Sequence, residues 1–335
     1  MRTPDNTCPP PTTMTSMRIP RLFCIAALML AILIPAPATA ERKIRVLIVD
    51  GFSNHDWQQT TALLRTILQA AGGFDVAVST APLDPASPAW ASWRPRFIDY
   101  DVVIQNCNEG AMNGALAGVK PKPDWPDQVK KDFAGFVRKG GGVYIFHSAE
   151  NAFVGWKEYE DMVGLSWRNA DFGPSTRITP EGQIVRIPAG VGEGTNHGPR
   201  ADRLVTRIAN DPIHAGMPRA WLTPDSEVYV YARSRSAEIL DRVKILAYAQ
   251  DTKTGLGLNW PVEWTTTYGK GRVYVSVYGH VWPGDVHPAS MRAADVQTII
   301  PRAVQWLARR PVTLPTPKDF PSPTAISVRD TVPLP

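Results

Sequence analysis

Two hydrophobic periods alternate along the chain. Residues 44–50 (IRVLIVD) form a continuous apolar run, the pattern of a parallel strand buried on both faces. From Trp57 the period changes. Leu63, Leu64, Ile67, Leu68 and Ala71 recur at helical spacing, and Gly72-Gly73 supplies the stop. Residues 74–78 then read as a second strand, which completes a βαβ unit. The pattern returns with residues 101–105 as a third strand, with Val129, Phe133, Phe136 and Val137 as the apolar face of a helix closed by Gly140, and with residues 143–146 as a fourth strand. This alternation predicts an α/β fold with a mostly parallel central sheet and helices on both faces.

The second half is richer in strands. Residues 183–187, 204–208, 227–232 and 243–249 are short candidates, and 262–267 and 272–278 flank Tyr268-Gly269-Lys270-Gly271, a hairpin turn. These predict additional antiparallel strands. Residues 292–309 read as a helix that Pro301 should kink. The last stretch, 311–335, carries seven prolines and is expected to be extended or disordered.

At 335 residues and 44% hydrophobic content the chain can bury one large core, and its length does not demand two domains. The N-terminus stands apart. Arg18 and Arg21 precede thirteen apolar residues, 22–34, followed by Ala38-Thr39-Ala40. This is the layout of a secretory signal peptide cleaved after Ala40, and the apolar run is short of the roughly twenty residues a spanning helix needs. A periplasmic or secreted protein with no membrane span is therefore expected. Loss of Arg2, Arg18, Arg21 and Asp5 with residues 1–40 would lower the formal charge from +5 to +3. No dense basic run tracks phosphates, so nucleic acid is not an expected partner. Cys107 would remain as the one cysteine, a buried inert thiol rather than a nucleophile.

Ligands of an open parallel sheet bind beyond the carboxyl ends of its strands, so polar residues at those ends carry the chemistry. The first strand ends in Ser53-Asn54-His55-Asp56, the third in Asn106-Cys107-Asn108-Glu109, the fourth in His147-Ser148-Ala149-Glu150, and a late strand in Tyr278-Gly279-His280. Three of the six histidines thus occupy corresponding positions that one fold would bring to one rim. His197 and Arg200, in Asn196-His197-Gly198-Pro199-Arg200, pair a base with a guanidinium; His214 and His287 lie in turn-like loops. Any single histidine at a strand end can also be a satisfied structural group. Two chemistries use such a rim. A serine nucleophile at Ser148 with His280 as base lacks the glycines of a G-x-S-x-G elbow, because Phe146 and Glu150 stand in their places. Acid–base chemistry would use His147, His280, His197 and Glu227 or Glu150. A divalent ion, zinc or manganese, would sit on His55, His147 and His280, although no HxH or HExxH spacing supports it. No nucleotide cofactor is expected. Eleven tryptophans are many, and Trp57, Trp156, Trp167, Trp264 and Trp282 fall in segments near this rim, where an indole face could carry a sugar ring.

The stretches SNHDW, GGGVYIFHSAENAF, WKEYEDMVGLSWR, NHGPR, DPIHAGMP, SEVY and YGKGRVYVSVYGH resemble, in order, those of the trehalose-utilisation (ThuA-like) family. The resemblance runs from about Ile44 to about Leu307. It implies a class I glutamine-amidotransferase-like fold, a flavodoxin-like three-layer sandwich with its site at the strand ends, and a role in disaccharide catabolism that includes 3-keto sugars. His147-Ser148-Ala149 stands where an amidotransferase has its cysteine, so cysteine-dependent glutamine hydrolysis is not expected. Ala201 and Asp211 stand where family members often have further histidines. His55, His147, His197, Glu227, Gly279 and His280 fit the family pattern. The expected organisation is a signal peptide over 1–40, a ThuA-like domain over 41–310 and a proline-rich tail over 311–335. The expected function is an exported carbohydrate-processing enzyme that hydrolyses, eliminates or isomerises a glycoside or 3-keto-glycoside. Asn54, Asn106, Ser148, Arg200, Trp57 and Trp282 are the expected substrate contacts. The alternative is a non-catalytic periplasmic sugar-binding protein.

Overall fold

Strand β1 (Ile44–Asp50) is the centre from which the sheet grows. Val46, Leu47, Ile48 and Val49 are each at most 2% exposed, because β2 (Phe74–Thr80) pairs with β1 along one edge and β3 (Val102–Gln105) along the other, while helices cover both faces. Helix α1 (Trp57–Ala71) returns the chain from β1 to β2, and α2 (Asp127–Arg138) leads from β3 into β4 (Gly142–Phe146). The computed structural model describes residues 10–11, 42–109, 120–251 and 256–330; the expected signal segment, its apolar run included, lies outside the described residues apart from 10–11.

Beyond β4 come α3 (Lys157–Val163), β5 (Ser175–Ile178), β6 (Ile184–Ile187), β7 (Asn196–His197), β8 (Ala201–Arg207), β9 (Ala220–Ser226), β10 (Tyr229–Val230), α4 (Ala237–Asp241), β11 (Lys244–Gln250), β12 (Asn259–Tyr268), β13 (Gly271–Ser276), α5 (Ala289–Arg292) and α6 (Ala294–Leu307). The main sheet has the order β2-β1-β3-β4-β13-β12-β11-β8-β9. Its first five strands are parallel, in the flavodoxin-like order with β13 in fifth place, and the others add antiparallel. The hairpin between Tyr268 and Gly271 is the junction, since a two-residue turn can only reverse the chain. Successive residues of a strand point to opposite faces, so a Cβ on Gly141 would meet Phe136 of α2, whereas one on Gly142 would stand 2.9 Å from the Leu307 side chain of α6. Those two helices therefore lie on opposite faces of the sheet, as a three-layer sandwich requires.

The sequence pattern misses three strands, β5, β7 and β9, and overextends one. β9 contains Pro224, which argues against a strand, but β9 is the edge of the sheet, where a missing N–H costs nothing. The expected strand over 227–232 shrinks to Tyr229–Val230 in β10, which pairs with β7; positive φ at Asp225 (47°) and Tyr231 (55°) breaks the extended backbone around it. Helix α6 continues through the buried Pro301. Residues 311–330 form no helix and run along the domain, with Ser322 accepting from Leu222 N–H (2.9 Å) and Phe320 packed edge-on to Trp221.

Candidate active site

The loops that leave β1, β3, β4 and β13 meet above the carboxyl ends of the parallel strands around a cleft of about 740 Å³. Asn54, His55, Ser148, His197, Arg200, Glu227, His280 and Trp282 border it. His147 lies just beneath, 3% exposed, in contact with His55. The rim expected from the strand ends therefore exists. Two of the expected contacts do not reach it. Asn106 spends its amide on Trp57 O (3.3 Å) and Thr61 Oγ1 (3.1 Å), so it ties β3 to α1, and Trp57, the first residue of that helix, does not line the cleft. Nor do all the tryptophans serve as platforms: Trp264 is fully buried and donates to Val163 O, and Trp156 packs among Trp125, Phe133 and Tyr159, which leaves Trp167 and Trp282 on the cleft.

Three imidazoles from three strands pack edge to face, with ring centroids 4.7 to 5.2 Å apart. Their tautomers follow from their partners. His55 Nδ1–H donates to Asn54 Oδ1 (3.0 Å), which also accepts from Asn108 Nδ2 (2.7 Å). His147 Nδ1–H donates to the Val277 carbonyl (2.8 Å). Each ring in its neutral form then carries its lone pair on Nε2, and those two nitrogens are 3.3 Å apart. Two acceptors at that distance repel unless a cation lies between them. A proton is disfavoured, because burial pushes His147 down to about 4 and holds His55 well below the ordinary histidine value. Two imidazoles bound tetrahedrally to one zinc at about 2.0–2.1 Å place their nitrogens about 3.3–3.4 Å apart. The pair thus fits a divalent ion, and His280 has a ring nitrogen within 4.8 Å of the other two ligand atoms. The Nδ1–H bonds to a carbonyl and an amide oxygen are the outer support such ligands use.

Glu227 stands at the centre of the proton-carrying groups. It is 4% exposed, and its carboxylate lies 3.4 Å from His197 Nε2, 3.5 Å from His280 Nε2 and 4.0 Å from His147 Nε2. Burial raises its pKa, opposed by the charges of His197 and Arg200. Guanidinium is only a donor, so Arg200 Nη1, 3.1 Å from His280 Nδ1, makes that nitrogen an acceptor and places the proton of neutral His280 on Nε2, facing Glu227. Burial, then the neighbouring His147 and Arg200, lower His280 to about 2. Arg200 is itself fixed by Asp285 (2.8 Å) and Asp225 (3.3 Å).

His147, not Ser148, occupies the sharp turn after β4. Its φ of 46° is left-handed backbone that a non-glycine residue rarely adopts, and it aims the ring under the cleft. Ser148 borders the cleft one residue later, within the short 3-10 turn His147–Asn151. Cys107 is fully buried after β3, and burial raises its thiol far above the ordinary range. Away from the cleft, His214 is fully buried between Asp211 and Glu263.

The structure adds residues that the sequence reading did not single out for this site: Tyr229, Asn151, Arg168 and Asn169. Alternation along the strand expected over 227–232 would have paired Tyr229 with Glu227 on one face, which is the signal for it. Arg168 and Asn169 follow α3 in a loop, where no period marks a face.

The family model for ThuA, described as trehalose utilisation, matches residues 45–307. Among solved structures, a ThuA-like protein from Parabacteroides merdae superposes with a TM-score of 0.75 at 28% identity, over 86% of this chain and 98% of that one. A ThuA-like protein from Bacteroides uniformis gives 0.49 at 15% identity, over 81% and 94%. No curated protein matches the sequence significantly.

Proposed function

Because the chain belongs to the ThuA (trehalose utilisation) family, we propose that it is a carbohydrate-processing enzyme that acts on a glycoside or 3-keto-glycoside by acid–base chemistry in this cleft. The observation that carries the reading is the sharing of one buried carboxylate, Glu227, by the Nε2 atoms of His197 and His280 at 3.4 and 3.5 Å. A structural ion pair needs one partner; a carboxylate between two imidazoles forms a relay along which a proton can pass.

The chemistry follows from the substrate class. A ketone at C3 acidifies the C2 proton. The Glu227–His280 pair takes that proton, the C1–oxygen bond breaks, and the leaving oxygen receives a proton from the His197 side of the relay. Arg200, held by two carboxylates, orients a substrate oxygen, and Trp282 offers a face for a sugar ring. His55 and His147 would hold a divalent ion, with His280 as a third nitrogen nearby; bound there, the ion would polarise a substrate carbonyl as a Lewis acid. Export to the periplasm or the exterior is part of the proposal, and its support is the pattern of residues 1–40. Among the described residues no helix is long and apolar enough to cross a membrane.

The test is metal analysis of the purified mature protein, followed by assay on disaccharides and their 3-keto forms. Stoichiometric zinc or manganese that is lost in His55→Ala and His147→Ala, with turnover abolished in His147→Ala and His280→Ala while the fold persists, is expected. Undiminished turnover in both His147→Ala and His280→Ala would overturn the reading. Sugar binding without turnover or metal would leave a non-catalytic binding protein instead.

A further inference from the structure

The cleft lies at the carboxyl ends of the parallel strands; their amino ends carry a second feature. Two adjoining grooves run there, one bordered by Arg94, Arg96, Ile98, Lys131 and Lys139, the other by Ile98, Asp101, Lys139, Gly141 and Arg309. The turn between β12 and β13 adds Lys270, whose N–H donates to Arg138 O (2.9 Å) and whose carbonyl accepts from Arg309. The end of α2, that turn and the end of α6 thus bring basic residues from distant parts of the chain onto one face.

Six of these cations have no carboxylate partner among the described residues. Arg94 donates to the Trp90 and Trp93 carbonyls, Arg138 to the Tyr268 hydroxyl (2.7 Å) and Arg309 to the Lys270 carbonyl, while Lys131, Lys139 and Lys270 are exposed. With Arg96 there are seven cations against two carboxylates, Asp101 and Asp132, and the partners Arg42 and Asp99 cancel each other. The excess of five is larger than the +3 of residues 41–335 as a whole, so the rest of the chain is net acidic. A helix C-terminus favours a cation whatever the function, which accounts for Arg138, Lys139 and Arg309. Arg94 and Lys270 lie in loops and Lys131 in the first half of α2, where that dipole gives no support. Like charges gathered without partners repel, so they call for an anion.

The face is not purely polar. Ile98 stands among the cations 65% exposed, beside the buried Phe97 and Phe136. Arg42, the first residue described after the apolar segment 22–34, joins the face through its pair with Asp101 (2.8 Å).

We infer that this face docks on a bilayer surface that contains anionic lipid. The unpartnered Lys and Arg side chains meet the headgroup phosphates, and Ile98 enters the headgroup boundary. A bilayer fits better than a soluble anion, because the chain comes onto this face directly from the segment expected to hold it at the membrane during export. Docked in this way, the protein presents its cleft to water, since the cleft is at the other end of the strands. The inference takes only export from the function proposed above and is independent of the chemistry in the cleft.

Cosedimentation of the mature protein, residues 41–335, with lipid vesicles tests it. Mixed phosphatidylglycerol–phosphatidylcholine vesicles should bind the protein at low salt and release it as salt is raised, and phosphatidylcholine alone should not bind it. A basic residue near an anionic surface strengthens binding about fivefold, so combining Lys131→Gln, Lys139→Gln and Lys270→Gln should weaken it about a hundredfold. The triple variant should keep its fold and any turnover found for the wild type, because the three side chains are exposed and lie away from the cleft. No binding to the anionic vesicles, equal binding to neutral ones, or a triple variant that binds like wild type would overturn the docking surface and leave the proposed enzyme standing. Binding to soluble polyglutamate but not to vesicles would assign the face to an acidic polypeptide and overturn the bilayer. A wild type that binds anionic vesicles and turns over no sugar would remove the enzyme and keep the docking surface.

Discussion

Replacing His214 with glutamine should flatten the alkaline side of the protein's stability profile. His214 is fully buried, with Nδ1 2.9 Å from Asp211 Oδ2 and Nε2 3.0 Å from Glu263 Oε2. Both ring nitrogens face carboxylates, so both donate and the ring is an imidazolium. Glu263 also accepts from Tyr274 (2.5 Å) and Tyr278 (2.8 Å). Burial alone would lower the His214 pKa, but the charges of Glu263 and Asp211 outweigh it and raise the value to about 9. The folded value lies above the unfolded value of about 6.5, so the stabilisation is fully present below pH 6.5 and disappears as pH rises through about 9. At about 1.4 kcal/mol per pH unit the interval corresponds to about 3 kcal/mol. Urea unfolding at several pH values between 6 and 10 measures it. His214 should account for about 3 kcal/mol of the stability that wild type loses across that range. His214→Gln should begin less stable by a similar amount, because glutamine leaves one carboxylate without its donor, and the gap should close toward pH 10. Glu150 and Asp295, with pKa values raised by burial to about 8 and about 6, also favour the folded state less as pH rises, but they remain in both proteins and cancel in the difference. Parallel profiles for the two proteins would refute the buried imidazolium.

Two further outcomes follow from the rim. Gly279 has φ +88°, and a Cβ there would collide with the Phe146 ring and stand 2.8 Å from Met291 Sδ; Gly279→Ala should therefore destabilise by about 1–3 kcal/mol and displace His280. An unchanged melting temperature with full activity would contradict this. Ser148 is not on the strained turn, so Ser148→Ala should retain turnover within a few-fold and a fluorophosphonate should leave the wild-type protein unlabelled; stoichiometric labelling would restore the serine-nucleophile mechanism.

The legible parts of this protein are those in which a local period reports burial. The run from Ile44 to Asp50 can be continuously apolar only where both faces are covered, so it announced a central parallel strand, and the helical spacing of α1 and α2 announced the layers. A histidine directly after β4 and histidines in the loops that leave β1 and β13 were readable as one rim for the same reason: in a parallel sheet the carboxyl ends of all strands lie on one side. Asn106 satisfied the same rule and still left the site, because Thr61 and the Trp57 carbonyl were within reach of its amide.

Other features depended on contacts between distant residues. Position along the chain named His147 and His280 alike. Only the partners set their tautomers: Val277 O at one ring leaves Nε2 bare, and Arg200 at the other leaves Nε2 protonated toward Glu227. The bond from Trp167 N–H to the buried carboxyl of Glu150 (2.6 Å) has no sequence signature, because a hydrogen bond between residues 150 and 167 depends on how two loops pack. Local sequence thus determined which groups reach the end of the sheet, since strand direction and period are properties of a few consecutive residues. Tertiary structure alone decided which proton each group carries and which faces are left for a ligand, since hydrogen-bond partners and burial come from residues far apart in the chain.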